Sequence, residues 1–220
     1  MCAVVVAVVP LRVSKVSAQP RSREFSSDQI AGVDEVGRGA LFGPVVAAAV
    51  ILPETAIAPL TAAGVTDSKK LKPQQRQQLD RQIRQIAHCS VGMASVYEID
   101  RINILQASLL AMRRAVSLLS PQPAFCLVDG NQRIPQLPMA QETVIKGDMN
   151  ELAIAAASIV AKVWRDELIV RLDRRYPGYD LASNKGYGSA KHRAGIANLG
   201  ITRQHRKSFK SCQVQLVMEI

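Results

Sequence analysis

The chain has 220 residues, enough to bury a sizeable core as one domain, and 48% hydrophobic content excludes a disordered polyelectrolyte. Its 28 Lys and Arg against 18 Asp and Glu give a formal charge of +10, with twelve of the bases and only five of the acids between Lys162 and Ile220, an asymmetry that suits a polyanionic partner. Cys2, Cys89, Cys126 and Cys212 form no CxxC pair, which excludes a zinc ribbon or thioredoxin-type motif and suits a reduced, cytoplasmic protein.

Met1 to Pro10, MCAVVVAVVP, is apolar but far too short to span a bilayer, and it lacks a basic leader. Residues 1–27 are therefore expected to be a disordered extension. Ile30 to Leu52, IAGVDEVGRGALFGPVVAAAVIL, reads as two buried strands joined by a Gly/Pro turn. Asp34 and Glu35 then stand at a strand end. Neighbouring residues of a regular strand face opposite ways, so both acids can reach one site only if the backbone bends, as Gly37 and Gly39 would permit. Adjacent carboxylates repel each other and are costly to desolvate unless paired or bound to a cation. Arg38 offers a simple surface ion pair; a hard metal facing a phosphate is the sharper alternative. Gly37, Gly39 and Gly43 give GxGxxxG, not the dinucleotide fingerprint, and Val45 to Leu52 reads as strand where that fingerprint needs a helix.

Glu54 to Thr66 reads as a connection ending in Asp67-Ser68-Lys69-Lys70-Leu71, a turn suited to phosphates or simply a solvated charge pair. Pro73 opens a helix carried by Leu79, Ile83 and Ile86 to about His88. Ser90 to Tyr97 reads as a strand. Asp100 opens a second helix through Ile102, Leu105, Leu109, Met112, Val116 and Leu119, closed by Pro121 and Pro123. Ala124 to Val128 is a strand ending in Asp129-Gly130-Asn131, and Val144 and Ile145 form another ending in Lys146-Gly147-Asp148.

Three strand ends thus carry an acid beside glycine, and in open α/β sheets functional groups gather at strand carboxyl ends. A plainer role exists for Asp148, as the N-cap of the helix that follows. Glu151 to Tyr176 reads as a long helix whose small residues, IAAASIVAK, allow close packing on a sheet; Pro177-Gly178 ends it. In the Gly-rich loop Asn184 to Ser189, Tyr187 lies between Lys185 and Lys191, either a stacking surface for a sugar or base or a side chain folded back on the core. Ala190 to Leu199 reads as a short helix and His205 to Phe209 as a basic tail.

Together, AGVDEVGRG, GPVVAAAVIL, DSKKL, NILQASLLAM, VDG, KGD followed by IAAASIVAK, KGYGS and HRKSF resemble the ribonuclease HII family, in the family's order from about Ala31 to Phe209. The resemblance implies an α/β fold: a ribonuclease H-like mixed five-stranded sheet flanked by helices, with a helical C-terminal extension. A catalytic domain over 28–177 and a substrate-binding helical region over 178–220 follow. Asp34, Glu35, Asp129 and Asp148 are the implied catalytic, metal-binding carboxylates. Their oxygens suit Mg2+ or Mn2+. Gly37, Arg38 and Gly39 are implied to read a ribose 2′-hydroxyl, and Tyr187 to pack on the sugar of the next deoxynucleotide. Ser68, Lys69, Lys70, Lys146 and Lys185 are further candidate substrate contacts.

The implied enzyme is a monomer with no membrane association. It cuts the RNA strand of RNA-DNA hybrids, and the 5′ side of single ribonucleotides in duplex DNA. Four departures from the family pattern stand out. Ala40-Leu41-Phe42 is expected to thicken the cleft wall, Lys72 replaces a serine helix cap, Ser189 replaces a threonine, and Glu151 adds a carboxylate near Asp148.

Overall fold

One sheet of five strands, in the order β3-β2-β1-β4-β5, organises the computed structural model, which describes residues 24–213. Cys2 and all but the last four residues of the expected 1–27 extension lie outside the described residues. The strands are β1 (Ile30–Val36), β2 (Val45–Ile51), β3 (His88–Ala94), β4 (Phe125–Asp129) and β5 (Ala140–Val144). The first three are antiparallel neighbours, whereas β4 runs parallel to β1 and β5 parallel to β4. This is the mixed, helix-flanked sheet expected from the sequence.

The sequence VVAAAVI of β2 is buried at every position because helices cover both faces of the sheet. Val45, Ala47, Ala49 and Ile51 pack with α3 (Val96–Ser117), while Ala48 and Val50 pack with α5 (Leu152–Asp173). Small residues set how close those helices come. A Cβ on Gly32 would lie 2.2 Å from the carbonyl carbon of Ala153, and one on Gly92 would lie 2.3 Å from the carbonyl oxygen of Ala111. Both helices therefore rest almost backbone to backbone on the sheet.

Glu54 to Thr66 is not a plain connection but contains α1 (Glu54–Ala62), where Ala56 and Leu60, one turn apart, are buried in the α5 layer despite the internal Pro59. The strand expected to reach Tyr97 stops at Ala94, and α3 starts before Asp100. The Ser95 hydroxyl accepts from the Glu98 N–H at 3.3 Å, and the Glu98 carboxylate accepts from the Ser95 N–H at 2.8 Å. This capping box outweighs the strand propensity of Val96 and Tyr97. Asn103 (φ 65°) then kinks α3, its Oδ1 accepting from the amides of Leu105 and Gln106. The other early helix, α2 (Pro73–Ile86), forms as expected; Lys72, at its N-cap, makes no side-chain capping bond.

Beyond α5 the chain folds α6 (Leu181–Asn184), α7 (Ala190–Leu199) and α8 (Lys210–Gln213) against the β1–β2 turn. Leu41 and Phe42 share a core there with Ile169, Tyr179, Leu181, Ile196 and Cys212. Phe42 is thus an anchor for the C-terminal segment, not a thickened cleft wall. The expected basic tail is likewise corrected, since His205 and Arg206 are fully buried. Ser189 keeps the capping role of a threonine by accepting from the His192 N–H at 3.2 Å. Among the described residues no helix is long and apolar enough to cross a membrane.

Candidate active site

Because β1 and β4 pair in parallel with Val33 level with Val128, Asp34 and Asp129 come side by side at the carboxyl edge of the sheet. The β1–β2 register runs without interruption through Val36, so the expected backbone bend at the two acids is absent. Instead the acids leave opposite faces of the strand. Asp34 faces Ser158 of α5, whereas Glu35 lines a cavity of about 90 Å3 with Ser108, Leu109 and Met112 of α3. Asp129 lines that same cavity and repels both carboxylates.

The fourth acid arrives through the end of β5. Asp129 Oδ1 accepts from the Gly147 N–H at 2.8 Å, and Lys146, at φ 57°, turns the chain into the single helical turn α4 (Gly147–Asn150). Asp148 is buried in that turn, 3.8 Å from Lys69 Nζ, and does not cap α5, whose N-cap position is Glu151. Glu151 is raised by burial and by Glu142, so its electrostatic neighbour is not Asp148.

The charge balance is unfavourable as it stands. Burial raises Asp34 well above the carboxylate range, and Glu35 and Asp129 add to it; the Ser158 hydroxyl and the Glu35 amide, donating at 2.7 Å, offset part. Burial also raises Glu35, against Arg38, whose Nη1 lies 3.1 Å away. The simple ion pair is therefore real but half exposed and weak. Asp148 is raised by burial and then by Asp129 and Asp67, with Lys69 and Lys70 opposing. Lys69, which burial alone would lower, is held up by Asp148, Asp34, Asp67 and Asp129. A hard divalent cation fits this surplus of negative charge and all-oxygen donor set. Among the described residues, no three His, Cys, Asp or Glu side chains form a ready-made ion cage.

The other expected site residues divide. Gly39 is exposed with open space where a Cβ would stand, but Gly37 is buried and its missing Cβ makes room for Arg165, whose Nε would be 2.2 Å away. Ser68 is buried, its hydroxyl 2.9 Å from that of Ser158, beneath the site and not on its surface. Lys69, Lys70 and Lys146 are exposed. Lys185 is half-buried, its carbonyl accepting from Arg165 Nη1 at 2.8 Å. Tyr187 pairs with Ala40 beside the Gly37–Gly39 turn and keeps 36% exposure, so it does not fold back into the core. Ser158, Arg165 and Arg206 were not anticipated. Ser158 is the lone polar residue in a run of small apolar ones, a signal that could have marked it.

Behind Tyr187 two buried histidines set its backbone. His205 Nδ1 accepts from the Thr202 N–H at 2.9 Å, which leaves its Nε2–H to donate to His192 Nε2 at 3.2 Å; His192 Nδ1–H then donates to the Tyr187 carbonyl at 2.9 Å. Both rings are neutral in this relay. Burial, then His192, pushes His205 down to about 4, and burial lowers His192. A depressed folded-state value means the unfolded chain takes up protons first, so the stabilisation is complete above about pH 6.5 and is lost as pH falls toward 4. The raised carboxylates act with the opposite sign, so urea unfolding should compare wild type with His205→Gln between pH 7.5 and 4.5. The variant is expected to lose less stability over that range; equal losses would contradict the relay.

The family model for Ribonuclease HII matches residues 31–212. Ribonuclease HII of Acaryochloris marina is 72% identical over 193 residues, covering 87% of this chain and 98% of the relative. That of Trichodesmium erythraeum is 63% identical over 187 residues, 84% of this chain and 89% of the relative. Among solved structures, ribonuclease H2 from Pyrococcus horikoshii superposes with a TM-score of 0.71 at 27% identity, covering 84% of this chain and 95% of that one. The chain belongs to the ribonuclease HII family and is a type 2 ribonuclease H, an endonuclease of the ribonuclease H class.

Proposed function

We propose that the enzyme hydrolyses the RNA strand of RNA-DNA hybrids and also cuts 5′ of single ribonucleotides embedded in duplex DNA, leaving a 3′-hydroxyl and a 5′-phosphate and so beginning ribonucleotide removal. The observation that carries this reading is the approach of Asp34, Glu35, Asp129 and Asp148 to one sheet edge, beside the Gly37–Gly39 turn and Tyr187. Those four carboxylates would hold the metal. Two bound Mg2+ or Mn2+ ions would supply an activated water and stabilise charge on the phosphate and on the leaving oxygen.

The chain's own groups do the selecting. Exposed Gly39 lets a sugar approach the backbone, whose amides and carbonyls can pair with a 2′-hydroxyl that DNA lacks. Arg38, Lys69 and Lys146 lie exposed for phosphate contacts, which position the duplex without reading sequence. Tyr187 offers its free face to the next sugar. Residues 178–220 serve as the substrate-binding region, and a single chain suffices.

The test is a duplex with one embedded ribonucleotide, incubated with Mg2+, Mn2+ or EDTA beside an all-DNA duplex. A single nick 5′ of the ribonucleotide with either metal, and none in EDTA or without the ribonucleotide, is expected. Cutting that persists in EDTA would remove the metal mechanism, and cutting of plain DNA would remove the 2′-hydroxyl selection.

A further inference from the structure

Arg165 and Arg206 are the largest fully buried side chains, and among the described residues neither has a carboxylate within ion-pair distance. Every hydrogen bond they donate goes to main-chain oxygen. Arg165 donates from Nε to Pro44 at 3.0 Å, from Nη2 to Phe42 at 3.0 Å and from Nη1 to Lys185 at 2.8 Å. Arg206 donates from Nε to Gly43 at 3.0 Å and from Nη1 to Arg38 at 2.7 Å. Four of these five acceptors lie between Arg38 and Pro44; the fifth lies in the Tyr187 loop.

Burying two cations side by side without a direct ion-pair partner is costly, and apolar residues would fill the same space with less penalty. Burial and the neighbouring Arg165 push Arg206 down to about 9, a measure of that cost. What the guanidinium fork provides, and an apolar side chain or a lysine cannot, is several donors at fixed spacing. The same fork supports Tyr187, whose ring centroid lies 5.5 Å from Arg165 Cζ and 5.7 Å from Lys162 Nζ, so cations hold one part of the ring while the rest stays exposed. The two segments also bond directly, with the Leu41 and Phe42 amides donating to the Gly186 carbonyl at 2.8 and 3.2 Å.

We propose that Arg165 and Arg206 form a clasp that fixes the spacing between the Gly37–Gly39 turn and Tyr187, and so act as positioning residues for selecting a ribonucleotide-to-deoxyribonucleotide junction. The proposal rests on the substrate reading given above. A junction must be met by both elements at once, one on the ribose and the other on the following sugar, whereas a continuous hybrid offers many registers. Loosening the clasp therefore harms junction cutting more than hybrid cutting.

In the wild-type protein, the Leu41 and Phe42 amides should be strongly protected from hydrogen exchange. Arg165→Lys, which keeps the charge and loses the fork, should speed their exchange by at least about tenfold while leaving α3 amides unchanged. It should also lower cutting at a single embedded ribonucleotide at least about tenfold more than cutting of a continuous hybrid. Gly186→Ala, whose Cβ would press on the Phe42 carbonyl from 2.7 Å, should shift both readouts the same way from the opposite side of the clasp. Unprotected Leu41 and Phe42 in the wild type, or unchanged exchange in the variants, would overturn the clasp. Faster exchange with equal losses on both substrates would overturn its role in selection. A wild-type enzyme that cuts neither substrate would overturn the substrate reading instead, with the exchange result standing apart from it.

Discussion

Asp34→Asn is expected to lower cleavage at least about a thousandfold, roughly 4 kcal/mol of transition-state stabilisation, and at the same time to make the metal-free protein more stable. Both effects come from one charge. Asp34 is buried against Glu35 and Asp129, and the Ser158 hydroxyl and the Glu35 amide relieve only part of the cost. An asparagine keeps the shape and can still accept from the Glu35 N–H, but removes the repulsion and one candidate metal ligand. The melting temperature in EDTA should therefore rise. Added Mg2+ or Mn2+ should then stabilise wild type, because a cation that binds only the folded state shifts the equilibrium, and should stabilise the variant much less. Retained cutting would refute the role of Asp34; a lower melting temperature in EDTA would refute the account of its electrostatics.

Much of this site is legible in the chain because its signals are local. Apolar runs that stop at an acid near glycine mark Asp34, Asp129 and Asp148, and parallel pairing of β1 with β4 is enough to bring the first two together. The bend expected at Asp34 and Glu35 proved unnecessary. A sheet edge can be reached from both faces, so the alternation that separates the acids along the strand lets them flank Asp129 from the α5 and α3 sides. What could not be read locally depends on partners far away in sequence. Arg206 looks like part of a basic tail until the carbonyls of Arg38 and Gly43, over 160 residues earlier, are seen to accept from it. Lys69 and Arg38 keep their surface character, whereas the Ser68 hydroxyl lies buried against that of Ser158, 90 residues on. The start of α3 was legible in principle, since Ser95 and Glu98 have capping-box spacing, but β-branched Val96 beside Tyr97 argued for strand.

Gly32→Ala is expected to destabilise the fold by about 3 kcal/mol or more, although it adds a single methyl group. The Cβ would stand 2.2 Å from the Ala153 carbonyl carbon and 2.4 Å from both the Ala153 oxygen and the Ile154 nitrogen, all backbone atoms that no rotamer change can move. The strand cannot retreat, because β1 is hydrogen-bonded to β2 on one side and β4 on the other. So α5 must shift, and α5 carries Ser158 against Asp34 and Arg165 against Gly37, Phe42 and Pro44. Denaturant unfolding should show the lower midpoint. Gly39→Ala is the matched control, with open space at its Cβ and a change in stability expected within about 0.5 kcal/mol, while its cutting of ribonucleotide substrates falls because the added methyl stands where the sugar must approach. A Gly32→Ala protein that melts like wild type would mean that α5 is not seated on β1 as described, and a Gly39→Ala enzyme with full activity would mean that the open face of the turn is not where the substrate lies.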